Sequence, residues 1–172
     1  GMNEAGLAGG MLNAPNTAQY QDVPAGQEAN SIAPQQLLTY VLSNFATVGE
    51  VRAALGKMYV SNAPMKAWGG VPKAHMTLHD AAGGSIVVEY LGGQLVITDN
   101  IIGVLTNDPA FSWHLANIGN YANLSGLDKK PLVVNGHTFP PASSGNGLHG
   151  IPGSSLSPDR FVRASLFVLN TP

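Results

Sequence analysis

A chain of 172 residues suits one domain of ordinary size. Only 10% of it is charged, against about 25% in a typical soluble domain, and the net charge of −2 leaves no basic face for a nucleic-acid backbone. With no cysteine, these residues hold no disulfide scaffold, no thiolate zinc site and no cysteine nucleophile.

The N-terminal Gly1-Met2-Asn3-Glu4 has neither a basic region nor a long apolar run, so no signal peptide is read there. Gly1 is either native or the remnant of a removed tag. No apolar run reaches the length that crosses a bilayer, so no membrane span is expected. Composition does not specify a compartment. Gly6 to Leu12 suits a strand in which Gly9 and Gly10 weaken pairing or admit a close neighbour. Asn13-Ala-Pro-Asn16 is a turn, and the polar stretch to Asn30 is a loop. Pro34 opens a helix, because a first-turn proline loses no needed donor. Leu37, Leu38, Val41, Leu42 and Phe45 form its apolar stripe. Thr47-Val-Gly-Glu50 matches a capping box, which starts a second short helix running to Leu55 and stopped by Gly56.

Beyond Met58 the hydrophobic period becomes that of strands. His75 to Asp80, Ser85 to Tyr90 and Gln94 to Thr98 are three strands joined by short, Gly-bearing hairpin connectors. Val104 to Thr106 is expected as a fourth. Asp108-Pro109 then reads as a helix cap followed by a first-position proline, with Leu115 and Ile118 facing the core. Residues 124–156 are rich in Gly, Pro, Ser and Asn and read as one long loop. Ser157-Pro158 opens a last helix to about Leu169. It is apolar on most sides (Phe161, Val162, Ala164, Leu166, Phe167, Val168), the composition of a helix covered by neighbours. No internal repeat is evident. Strands and helices in separate blocks imply α+β packing.

Several residues carry possible chemistry. His75 and His79 share one strand face and can meet a metal, but no third ligand lies nearby in sequence. Two half-exposed strand histidines are the commoner arrangement. His114, His137 and His149 are scattered and read as structural. Arg160 falls in the first turn of a helix, where the macrodipole disfavours a cation. It either pairs with Asp159 or a remote carboxylate, or aims its guanidinium into a site. Asn107 stands just before Asp108-Pro109 and is either a turn residue or an amide directed at a developing oxyanion. Asn13 ends the first strand in the same manner.

Longer blocks carry a resemblance. Gly1-Met-Asn-Glu-Ala-Gly-Leu7, Leu12-Asn-Ala-Pro15, Ser85-Ile-Val-Val-Glu89, Asp99-Asn-Ile-Ile-Gly-Val-Leu-Thr-Asn-Asp-Pro-Ala-Phe-Ser-Trp-His-Leu-Ala-Asn117 and Ser157-Pro-Asp-Arg-Phe-Val-Arg-Ala-Ser165 together resemble the choloylglycine hydrolase family. Its members are bile salt hydrolases and penicillin V acylases, which cleave linear amide C–N bonds. The resemblance implies an N-terminal nucleophile hydrolase sandwich, two antiparallel sheets between helical layers. It also implies a cysteine nucleophile whose own α-amino group moves the proton. Asn13, Asn107 and Arg160 fall on the family's oxyanion-hole asparagines and its site arginine. The family's cysteine and its early Arg and Asp match nothing in these residues. Ser112 replaces an Asp common in the family's Phe-Asp-Trp-His block.

The resemblance therefore implies part of an amide hydrolase, inactive alone for want of the cysteine, within a single incomplete domain over residues 1–172. No metal or cofactor is implied. The expected substrate is a small amide of the conjugated bile salt or penicillin V kind. Low charge and a mean hydropathy of +0.08 fit a surface covered by a second copy or by a complementary fragment. A non-catalytic binding module that keeps the Asn13, Asn107 and Arg160 pocket is the other expectation.

Overall fold

The structure, a computed structural model, describes residues 1–171. In chain order its strands and α-helices begin with β1 (Ala8–Asn13), β2 (Ser31–Ile32), α1 (Leu37–Asn44), α2 (Val48–Leu55) and β3 (Tyr59–Val60). There follow β4 (Ala74–His79), β5 (Ser85–Leu91), β6 (Gln94–Asp99), α3 (Phe111–Ile118), β7 (Leu132–Val134), β8 (His137–Phe139) and α4 (Ser157–Leu169). Strands β1, β4, β5 and β6 form one antiparallel sheet in the order β1-β4-β5-β6.

Alternation along β5 divides the molecule. Ile86, Val88 and Tyr90 point to one face, where Met76 and Leu78 of β4 meet Leu37 and Val41 of α1 and Val51 and Leu55 of α2. Val87 points to the other face and joins Val104, Phe111 of α3 and Phe161 of α4. Phe111 and Phe161 meet edge-on with ring centroids 6.1 Å apart, a contact that adds roughly 1 kcal/mol beyond the area it buries. The sheet thus has helices on both sides: several strand residues feed the first cluster, while Val87 is the one strand residue in the second.

Several local expectations hold for their expected reasons. Pro34 lies in a short 3-10 turn that leads into α1. The Thr47 hydroxyl accepts the Glu50 N–H at 3.2 Å while the Glu50 carboxylate accepts the Thr47 N–H at 3.1 Å, completing the capping box of α2. Gly9 does admit a close neighbour. A Cβ there would stand 2.5 Å from Leu78 Cδ2 and 3.1 Å from Leu38 Cδ1, whereas a Cβ on Gly10 would meet open space.

Four expectations need correction. Val104 to Thr106 is irregular, because the Thr106 carbonyl is taken by the His75 ring rather than by a strand. Asp108 does not cap α3, which begins at Phe111 with Ala110 as its N-cap, so Pro109 lies outside the helix. The Asp108 carboxylate is instead occupied by Asn16 N–H and the Thr17 hydroxyl, at 3.1 and 2.6 Å. The segment 124–156 is not one loop, since β7 and β8 pair within it as a hairpin. Finally, α4 is covered only along Phe161, Val162, Ser165 and Leu166. Its last turn, Phe167 to Leu169, is exposed. The short parallel pair β2 and β3 escaped the sequence reading, being two residues long in each strand.

Candidate active site

The three residues singled out from sequence converge. Asn13 ends β1, Asn107 sits in the irregular segment before α3, and Arg160 lies in the first turn of α4. The Asn107 Nδ2–H donates to the Asn13 carbonyl at 2.8 Å, and Asn107 Oδ1 accepts from Arg160 Nη2–H at 2.7 Å. The two bonds fix which end of the Asn107 amide is oxygen, since a carbonyl accepts and a guanidinium donates. Asn13 joins through its main chain, and its side chain is exposed.

Arg160 does not form the ion pair that one reading of the sequence foresaw. Its Nε–H donates to the Ser155 carbonyl at 3.0 Å, and Asp159 accepts the Ser154 N–H at 3.3 Å instead. Among the described residues the guanidinium meets only neutral oxygens. A cation in a first helical turn, where the macrodipole is unfavourable, thus stands without a carboxylate. Asp108 completes the frame by clamping the Asn13–Asn16 turn against the Asn107 segment through Asn16 and Thr17.

Beneath these residues lies a buried polar layer. Glu89, only 2% exposed, accepts the Phe111 N–H on both carboxylate oxygens at 3.0 and 3.2 Å. A carboxylate there satisfies a free donor of α3 and complements the helix dipole. His75 is buried, not half-exposed as expected. Its Nδ1 lies 3.3 Å from Glu89 Oε1, and its Nε2–H donates to the Thr106 carbonyl at 2.6 Å. His114 is also buried, stacked on Phe161 with centroids 4.6 Å apart. Its Nε2–H donates to the Asn107 carbonyl at 3.0 Å, and its Nδ1 has no partner among the described residues. Burial lowers the His114 pKa below the ordinary histidine value. The Thr106 hydroxyl donates to the Ser157 carbonyl at 3.1 Å, which ties the layer to the start of α4.

Sequence reasoning did not single out Glu89 as a site residue. Its signal was an acid within the apolar run Ser85-Ile-Val-Val-Glu-Tyr90, on a strand whose other residues are mostly buried. His79 parts company with His75, lying 2.9 Å from Ser85 Oγ and 3.0 Å from Thr77 Oγ1. Among the described residues no three His, Cys, Asp or Glu side chains gather in a way that would hold a metal. His137 is exposed on β8.

The arrangement suits stabilisation of an anionic oxygen. The Asn107 amide spends one of its two N–H groups on Asn13, which leaves the other able to donate to an oxygen. Arg160 supplies positive charge at its back. A helix-flanked antiparallel sheet thus brings amide and guanidinium donors together at one place. The chain belongs to the choloylglycine hydrolase family of linear amide C–N hydrolases, whose family model matches residues 1–172. It is 35% identical over 170 residues to the conjugated bile acid hydrolase of Lactobacillus acidophilus, covering 99% of this chain and 54% of that protein. Its fold matches a crystal structure of a variant of the conjugated bile acid hydrolase from Clostridium perfringens, with a TM-score of 0.87 and 33% identity over 97% of this chain and 51% of that one. Penicillin V acylase from Agrobacterium tumefaciens matches with a TM-score of 0.73 and 30% identity, over 98% of this chain and 44% of that one. These matches show the N-terminal nucleophile hydrolase fold and the α+β class; of the two facing sheets that the resemblance implied, the described residues form one four-stranded sheet with helices on both sides. The chain spans about half the length of the curated relatives it matches.

Proposed function

We propose that these 172 residues supply the oxyanion-stabilising side of a linear amide C–N hydrolase. The observation that carries this reading is the run of hydrogen bonds from Arg160 through Asn107 to Asn13. In this reading the free Asn107 N–H and the exposed Asn13 amide receive the carbonyl oxygen as it gains charge during attack. Arg160 holds the Asn107 amide in orientation and offers its cation to the same region. The attacking thiol is not among these residues, which hold no cysteine. The chain by itself then turns over no substrate. A conjugated bile salt or a penicillin V-like amide is the substrate class that the relatives support. Assays of the 172-residue chain with glycocholate and with penicillin V test this: no hydrolysis is expected from either, and specific turnover overturns it.

The exposed apolar side chains favour a companion reading, in which the chain works against a second copy or a complementary fragment. Leu132, Val133 and Phe139 on the hairpin and Phe167 to Leu169 on α4 all lie at the surface. Light scattering is expected to show an assembly larger than one chain, and a stable monomer removes this reading. Calorimetry with glycocholate separates a binding module from a catalytic part. Binding without turnover by the complete protein supports the module.

A further inference from the structure

Asn107 stands in a segment with no strand or helix to hold it, yet an oxyanion donor is useful only when fixed in place. Its side chain is held by Arg160 and Asn13. Its backbone is held separately. The His75 Nε2–H engages the carbonyl of Thr106 at 2.6 Å, and the His114 Nε2–H engages the carbonyl of Asn107 itself at 3.0 Å. These two carbonyls belong to the peptide planes on either side of the Asn107 Cα. Peptide planes are rigid, so holding both sets the two backbone torsions of Asn107 and the direction of its Cα–Cβ bond.

One buried carboxylate couples the two histidines. Glu89 lies 3.3 Å from His75 Nδ1 and also accepts the N–H of Phe111, the first residue of α3. His114 is on the next turn of that helix. We infer that His75 and His114, coupled through Glu89, are positioning residues that fix the backbone on both sides of Asn107 and so aim its amide. This rests on the reading of Asn107 as the oxyanion donor.

The chemistry of His114 supports the role. A ring stacked on Phe161 in an apolar setting needs no nitrogen for packing, and its Nδ1 is buried without a partner. An orphaned polar atom in a core is a cost that a Phe or Leu would avoid. The Nε2–H bond to Asn107 is the only use of the ring's polarity seen among the described residues.

Two substitutions separate donor from packing. His114→Phe keeps the aromatic stack and removes the donor, while His114→Gln replaces the donor. In the complete amide-cleaving protein, assayed with glycocholate and penicillin V, Asn107→Ala is expected to lower kcat by about a hundredfold or more, the usual loss for one oxyanion donor. His114→Phe is expected to lower kcat by about tenfold with KM little changed, as for a misplaced but intact donor, and His114→Gln to recover most of the loss. Full activity of Asn107→Ala overturns the oxyanion reading. An inactive Asn107→Ala beside a folded His114→Phe with unchanged kcat overturns the clamp alone. A measurement on the unsubstituted 172-residue chain needs neither activity nor a variant fold. Nitrogen-15 NMR is expected to show His114 protonated on Nε2 and bare on Nδ1, and the opposite tautomer overturns the clamp.

Discussion

Arg160 places Nη2 2.7 Å from Asn107 Oδ1 across 53 positions of sequence, and its Nε reaches Ser155 O at 3.0 Å. One planar guanidinium thus ties a loop amide to the approach of its own helix. Lysine carries the same charge but lacks the fixed fork that serves both directions. Arg160→Lys is therefore expected to destabilise the chain by about 1–2 kcal/mol through the lost hydrogen bonds. Urea unfolding of the two proteins measures it, and equal midpoints contradict it.

Glu89 is a more costly position. Replacing its carboxylate by Leu leaves the Phe111 N–H buried without its acceptor and removes the group that lies 3.3 Å from His75 Nδ1. A loss of about 2–3 kcal/mol is expected, the upper part of the cost of leaving a buried donor unsatisfied. Glu89→Gln keeps an acceptor for Phe111 and should lose less. Denaturant midpoints for both variants rank the effects, and an equal or reversed order rejects this account.

Gly9 and Gly10 are adjacent yet should respond oppositely. A Cβ on Gly9 would press against Leu78 and Leu38, while one on Gly10 would touch nothing within 4 Å. Gly9→Ala is expected to cost about 1–3 kcal/mol through overpacking. Gly10→Ala should be neutral or slightly stabilising. Thermal unfolding of the pair provides the comparison.

Acid should weaken the α2 end of the molecule. Asp80 accepts N–H bonds from Val48, Gly84 and Ala82, and the first two do most to lower its pKa. Glu50 is lowered likewise by the N–H groups of Ala46 and Thr47. A carboxylate lowered by folding adds stability above its unfolded value, and that stability is lost as pH falls through the folded value. Stability is therefore expected to decline below the ordinary carboxylate range. Asp80→Asn with Glu50→Gln should flatten that decline. Unfolding curves across acid pH test it.

His114 adds a separate slope at higher pH. Burial lowers its pKa most, opposed by the Asn107 carbonyl and Glu89 and aided by His75 and Arg160. The unfolded chain then takes up the proton first as pH falls below the ordinary histidine range, and stability drops. His114→Gln should remove this part of the profile. A slope unchanged in the variant contradicts this account.

Much of the framework was legible locally. The alternation of Ser85 to Tyr90, the stripe from Leu37 to Phe45 and the Thr47–Glu50 box depend on neighbours a few residues apart. Failures occurred where a distant group claimed an atom that local rules had assigned. Asp108 looked like a helix cap, but Asn16 and Thr17 hold its carboxylate. Thr106 looked like strand, but His75 holds its carbonyl. The two-residue strands Ser31–Ile32 and Tyr59–Val60 are too short to show a period.

By itself the sequence determined the α+β class, the family, the want of a cysteine and the identity of Asn13, Asn107 and Arg160 as candidates. Only the tertiary structure decided that they touch, with bonds spanning 94 and 53 positions. It also decided that Glu89, His75 and His114 form one buried layer beneath them. Periodicity reports which way a side chain faces within its own element. A hydrogen bond between elements depends on how those elements pack, and no local pattern carries that information.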